Sequence, residues 1–251
     1  MDSITAAAAS GMRARLESLD LLANNVANAS TGGYKADREF YSLYVAPENA
    51  SAEAGDPPST MPVIERHWTD LSQGVIQATG NSLDVALSGK GFFAVQGPGG
   101  PLYTRNGSFH LAADGRLMTA EGYPVRGTTN TPLVLQNSRP VEISNDGTVS
   151  QDGNVIGQLG IVDFTSSADL TKQGNNYFRV SGPAAAGSPT LPAPAGVTVE
   201  QGKLEASNSG AADAAVRLIG IMRQFEMLQK AVSLGADMSK QAIEQVAKVG
   251  S

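Results

Sequence analysis

SITAAAASGMRARLESLDLLANNVAN, residues 3–28, carries apolar side chains at Ala9, Met12, Leu16, Leu19, Ala23 and Val26. The steps alternate three and four, the pattern of a helix with one apolar seam. No proline occurs before Pro47. The spacing predicts a single helix about 37 Å long at 1.5 Å per residue. It should close near Thr31-Gly32-Gly33, because paired glycines cost backbone entropy inside a helix. A second seam runs through Leu218, Ile221, Phe225, Leu228, Val232, Gly235, Ser239, Ala242 and Val246, with no proline after Pro194. This predicts a helix from Ala211 to Lys248, about 50 Å long. Neither helix has enough apolar surface to stand alone. The two ends of one chain could pair, or each could pair with other copies.

Between these ends the sequence reads as β. Asn106-Gly107, Asp114-Gly115, Glu121-Gly122, Asp146-Gly147 and Asp152-Gly153 are turn dipeptides, and Asn-Gly and Asp-Gly suit tight hairpins. Short apolar or alternating runs lie between them: Phe92–Val95, Phe109–Leu111, Val141–Ile143, Ile161–Phe164 and Tyr177–Val180. Two stretches rich in small residues and proline read as linkers. The expected organisation is an N-terminal helix and motif over 1–45, a linker over 46–62 and a central β domain over 63–182. A Pro/Ala/Gly linker over 183–200 and a C-terminal helical segment over 201–251 complete it. The class is α+β, mainly β. Short antiparallel strands form the centre, and the long terminal helices form a coiled-coil-like domain.

Composition narrows the chemistry. The chain has 251 residues, no cysteine, two histidines and a formal net charge of −6. The absence of cysteine excludes disulfides, thiolate metal sites and thiol catalysis, and two distant histidines make a poor metal site. The Lys and Arg residues are scattered, so the basic footprint of a nucleic-acid binder is absent. No apolar run reaches the roughly 18 residues of a membrane span. The N-terminus lacks the basic and apolar regions of a secretory signal. These rules alone point to a soluble cytoplasmic protein. Asp114, Asp146 and Asp152 are the best carboxylate set for a hydrolase, but each precedes a glycine and reads first as a turn residue. His67-Trp68 and His110 read as strand positions. The expected catalytic, cofactor and metal residues are therefore none. Asn24, Asn25 and Asn28 end an apolar helix. They either cap a frayed terminus or bond through their amides to neighbouring copies, since buried amides need partners.

Four blocks carry a family likeness. LANNVANASTGGYKAD (Leu22–Asp37), TGNSLDVALSGKGFFAV (Thr79–Val95) and YTRNGSFHLAADGRLMTAEGYPVRG (Tyr103–Gly127) occur in that order. QGKLEASN (Gln201–Asn208), with Arg223-Gln224-Phe225-Glu226 beyond it, is the fourth. The chain resembles the bacterial flagellar rod and hook axial protein family. Its length sets aside the much longer hook member. The run Ile156–Phe178 is most similar to the proximal rod members, with the distal rod members next. One departure is Ser209-Gly210-Ala211-Ala212, where the family usually continues with Val and a polar residue.

The resemblance implies a structural subunit that packs helically with copies of itself and with neighbouring rod proteins, and that transmits motor torque towards the hook. It implies export through the flagellar type III apparatus without a cleaved signal. The destination would be the basal-body rod crossing the periplasm, which replaces the cytoplasmic reading. It implies no cofactor, nucleic acid, membrane span or small-molecule substrate. On this reading the expected assembly interface is Leu16, Leu19, Asn24, Asn25, Val26, Asn28, Leu218, Ile221, Phe225, Leu228 and Val232. Two other classes stay open. A secreted wall-degrading enzyme would bring acids together in a cleft, and a β-domain adhesin would expose an aromatic patch.

Overall fold

The structure is a computed structural model, and it describes residues 3–45, 60–136, 139–164, 170–174, 176–180 and 196–249. Helix α1 spans Ser3–Ala27 and helix α2 spans Ala211–Val249. Among the described residues, sixteen strands lie between them. β1 (Asp37–Val45) and β2 (Thr60–Thr69) form a long antiparallel pair, with Asp37 opposite Thr69 and Val45 opposite Thr60. β3 (Ile76–Ala78), β4 (Val85–Ser88), β5 (Phe92–Gly97), β6 (Gly100–Thr104), β7 (Phe109–Leu111) and β8 (Leu117–Thr119) follow. Then come β9 (Glu142–Ile143), β10 (Thr148–Gln151), β11 (Asn154–Gln158), β12 (Ile161–Val162), β13 (Leu170–Lys172) and β14 (Tyr177–Val180). β15 (Thr198–Gln201) and β16 (Lys203–Glu205) complete the set.

The chain divides into two compact units. The helical unit comprises Met1–Ala27, Asp37–Asp70 and Gly210–Ser251, so the β1–β2 pair belongs with the helices. The β unit comprises Asn28–Ala36 and Leu71–Ser209. The linker expected over 46–62 falls outside the described residues except for its last three, which begin β2. The second linker lies outside them over 183–195, and β15 starts at Thr198.

In the β unit a five-stranded sheet has the order β12-β5-β6-β14-β13 and a three-stranded sheet the order β11-β10-β9. Two-stranded pairs β15-β4, β16-β3 and β7-β8 complete it. β5 explains the layering. Its side chains alternate between faces, as any strand's do. Phe93 and Val95 enter a large core with Val85, Leu87, Leu117, Val149, Leu159, Ile161 and Val199. Phe92 and Ala94 enter a second cluster with Tyr103, Val162 and Phe178. Both faces are covered, which is why Phe-Phe-Ala-Val reads as an unbroken apolar run. Edge-to-face aromatic pairs tighten both clusters, Phe93 with Phe109 at 5.2 Å and Phe92 with Phe178 at 5.3 Å.

Three of the five turn dipeptides join strands that pair with one another. Asp114-Gly115 joins β7 to β8, Asp146-Gly147 joins β9 to β10, and Asp152-Gly153 joins β10 to β11. At the last, both residues have positive φ, 50° and 76°, the backbone of a type I′ turn. Asn106-Gly107 lies between β6 and β7, which do not pair with one another. Its Gly107 carbonyl instead accepts the Val85 amide at 3.0 Å.

Candidate functional site

The two terminal helices pack on one another within the helical unit. On α2, Leu218, Ile221, Phe225, Leu228 and Val232 are half-buried along one face, with Ala214 fully buried at its start. That is the seam the heptad spacing predicts. On α1 the buried residues are Gly11, Ala14, Ser18, Leu22 and Asn25. This row lies about a third of a turn from the predicted one at 100° per residue. The reason is size. Small side chains let the partner helix approach, and the Leu228 methyl groups lie 3.4 and 3.5 Å from where a Gly11 Cβ would stand. Ser18 satisfies its hydroxyl inside the helix, donating to the Ala14 carbonyl at 3.0 Å.

The predicted α1 stripe is left largely outside this packing. Leu16 is 50% and Val26 40% exposed, while Leu19 is half-buried. On α2 the face opposite the seam is also apolar: Val216, Ile219, Met227, Leu234 and Met238 are each more than half exposed.

The three asparagines part company. Asn25 is buried, and its amide grips the start of β1. Nδ2 donates to the Asp37 carbonyl at 2.8 Å and Oδ1 accepts the Asp37 amide at 3.0 Å. The same base is closed by Thr69 donating to the Asp37 carboxylate at 2.7 Å and by an Arg38–Asp70 ion pair at 2.7 Å. Asn28 accepts from the Thr31 hydroxyl at 3.2 Å, the turn that leads into the glycines. Asn24 is exposed.

A polar node in the β unit joins three charged side chains. Lys35 and Glu205 are completely buried and Arg105 is 3% exposed. Lys35 Nζ donates to Glu205 Oε1 and to the Ser72 carbonyl, both at 2.6 Å. Arg105 Nη1 donates to Glu205 Oε2 at 3.1 Å, and its Nη2 to the Gly89 carbonyl at 2.6 Å. The Gly74 amide donates to Glu205 Oε1 at 2.8 Å. Burial pushes the Arg105 guanidinium below its ordinary range, and the Glu205 charge pulls it back. Asn208 stitches the same neighbourhood. Its Oδ1 accepts the Ala36 amide at 2.7 Å and its Nδ2 donates to the Ser72 carbonyl at 3.1 Å. None of these residues stands out by spacing. Yet Lys35, Arg105 and the Glu205/Asn208 pair come from three of the four blocks quoted above, so the blocks that carry the resemblance converge in space.

The remaining candidates are dispersed. Asp114 bonds to the Arg116 amide and guanidinium, which hold its carboxyl below the ordinary range. Asp146 is held low in the same way by Thr148. Asp152 pairs with Arg139. Asp114 and Asp146 each serve their own loop, and Asp152 ties its turn to the stretch before β9. His110 is the exposed middle residue of β7, and His67 and Trp68 are exposed on β2. Among the described residues no three His, Cys, Asp or Glu side chains group as metal ligands, and no described helix is long and apolar enough to cross a membrane. A cavity of about 450 Å³ opens beside Leu71, Phe92, Arg105 and Phe164, where the guanidinium is engaged by Glu205 and two carbonyls.

Three family models match the chain in order. "Flagella basal body rod protein" matches residues 6–35, "Flagellar hook protein FlgE/F/G D1 domain" residues 86–151, and "Flagellar basal body rod FlgEFG protein C-terminal" residues 200–245. The chain is 33% identical over 238 residues to flagellar basal-body rod protein FlgF of Caulobacter vibrioides, covering 92% of each. It is 34% identical over 261 residues to rod protein FlgG of Agrobacterium fabrum, covering 93% of this chain and 95% of that one. For FlgG of Bacillus subtilis the identity is 31% over 257 residues, with the same coverages.

Proposed function

The chain belongs to the flagellar basal-body rod protein family, and from that premise we propose that it is a structural subunit of the rod that carries motor torque towards the hook. The observation that carries this reading is similarity to named rod proteins at about a third identity along nearly the whole length of both partners. The family is structural rather than enzymatic, and the turn carboxylates, each engaged by a separate partner, agree with that.

The subunit assembles with other rod components through its terminal helices, in a coiled-coil-like arrangement. The exposed stripes on α1 (Leu16, Val26) and α2 (Val216, Ile219, Met227, Leu234, Met238) support this use, because helices gain stability by burying such faces. Methionines suit a surface that meets non-identical neighbours, being unbranched and polarizable. Of the remaining predicted interface residues, Leu19, Asn24, Asn25 and the α2 seam belong to the helical unit, and Asn28 begins the β unit. The subunit reaches the rod across the periplasm by the flagellar export apparatus. Within the rod we assign it to the proximal segment, on the resemblance of Ile156–Phe178. The distal segment is the second reading.

Purified basal bodies carrying an epitope-tagged copy, labelled with gold, test the proposal. Label along the rod is the expected result, and its position separates the two segments. Label absent from basal bodies, or normal swimming after deletion of the gene, would refute it.

A further inference from the structure

The covalent routes between the two units are four chain crossings, at 27/28, 36/37, 70/71 and 209/210. The segments on the β-unit side of these crossings are 28–36, the stretch from Leu71, and the stretch ending at Ser209. All of them are tied to one another by the Lys35–Glu205–Arg105–Asn208 node. Lys35 and Asn208 both hold the Ser72 carbonyl. The Glu205 carbonyl takes the Gly33 amide at 2.6 Å, and the Tyr34 carbonyl takes the Asn208 amide at 3.2 Å. Arg105 carries the connection onward into the sheet region, through the Leu87 carbonyl at the end of β4 and the Gly89 carbonyl beyond it.

We infer that this node is a force-sharing clamp: it gathers the four crossings so that torque entering through the helical unit is spread over all of them and into the β unit. The inference rests on the rod-subunit reading. Ungathered, each crossing would take load separately and the most stretched would yield first. Gathered, they yield only together. The bonds suit the task. Hydrogen bonds between ionised groups are short and strong, and they strengthen where water is excluded. Pulling either Lys35 or Arg105 from Glu205 leaves a buried charge without its partner, so the clamp resists small displacements rather than creeping. A node serving only static stability has no need to join every crossing.

Asn208→Ala tests this. It removes side-chain ties between crossings while leaving the buried ions paired. Asp114→Ala, in a surface turn of the same unit away from the node, serves as the comparison. Each variant replaces the chromosomal gene, and each protein is purified for thermal melting. Cells are tracked in dilute and in viscous medium, and detached hook–filament pieces are counted in the culture fluid. The expected result is that both variants melt close to the wild type and swim in dilute medium. Only Asn208→Ala then loses swimming in viscous medium, with detached pieces accumulating. Equal swimming of Asn208→Ala and the wild type at both viscosities overturns the clamp. Loss at both viscosities without detached pieces also overturns it, assigning Asn208 to assembly. Normal swimming of the gene deletion would instead overturn the rod-subunit reading itself.

Discussion

Glu205 answers two buried cations with one carboxylate, so its charge matters more than its volume. Glu205→Gln keeps the shape and leaves Lys35 and Arg105 uncompensated. Breaking a buried ion group in this way costs about 3–5 kcal/mol. Replacing all three by Met should recover most of that loss, because apolar exchange of a whole buried ion group is often neutral or stabilising. Urea unfolding of the two variants decides. A Gln variant as stable as the wild type, or a triple variant no better than the Gln one, would show that charge is not the issue. Backbone geometry sets a second test. Gly115 has φ +80° and a Cβ there would stand 2.1 Å from the Leu135 carbonyl oxygen. Gly147 has φ +84°, but its nearest neighbour would be 3.4 Å away. Valine at either position pays the strain of positive φ, of order 1–3 kcal/mol. Only Gly115→Val adds a clash with backbone. Thermal melting should therefore rank Gly115→Val below Gly147→Val, and both below the wild type. The turn carboxylates and their glycines were legible from the sequence because Asp-Gly carries its own conformational preference. The node was not, because charges 100 and 170 positions apart leave no periodic trace.

Helix faces separate folding from assembly. Phe225 lies on the half-buried α2 seam, whereas Met227 is 64% exposed on the opposite face. Phe225→Asp gives up about 2–3 kcal/mol of ring burial and places a charge among apolar groups, so it should weaken the helix pair in the monomer. Met227→Asp should leave the monomer's helicity and melting unchanged and prevent incorporation into rods. Circular dichroism of the purified monomers, with subunit content of basal bodies, checks both. A Met227→Asp subunit found at normal levels in rods would remove the outer face from assembly. The α2 seam and all five apolar runs of the middle were readable, since periods of 3.6 and 2 survive in the sequence. The buried face of α1 was not, because Gly11, Ala14 and Ser18 are chosen for smallness rather than hydrophobicity. The β1–β2 pair escaped for another reason. Pro62 stands in β2 opposite Leu43, and a proline argues against a strand unless the strand is at an edge.

Among the residues whose side chains are described, apolar burial is unevenly divided. The two core clusters lie in the β unit, while the described buried apolar side chains of the helical unit are Ala14, Leu22 and Ala214. In dilute monomer, amides of β5, β8 and β12 should exchange most slowly, and those of residues 11–25 and 214–232 earlier, as expected where few apolar contacts are made. Equal protection of helices and core strands would contradict this. The order in which the pieces become available also matters. β15 and β16 pair with β4 and β3, Val199 completes the main core, and Glu205 neutralises cations that sit much earlier in the chain. A ribosome that has reached residue 195 has supplied none of these. β3 and β4 then lack their partners, and Lys35 and Arg105 lack their anion. Closing such distant contacts is slow in any case. The β unit is thus among the last things the growing polypeptide can form, and a chain caught before that point is still loose enough to be threaded.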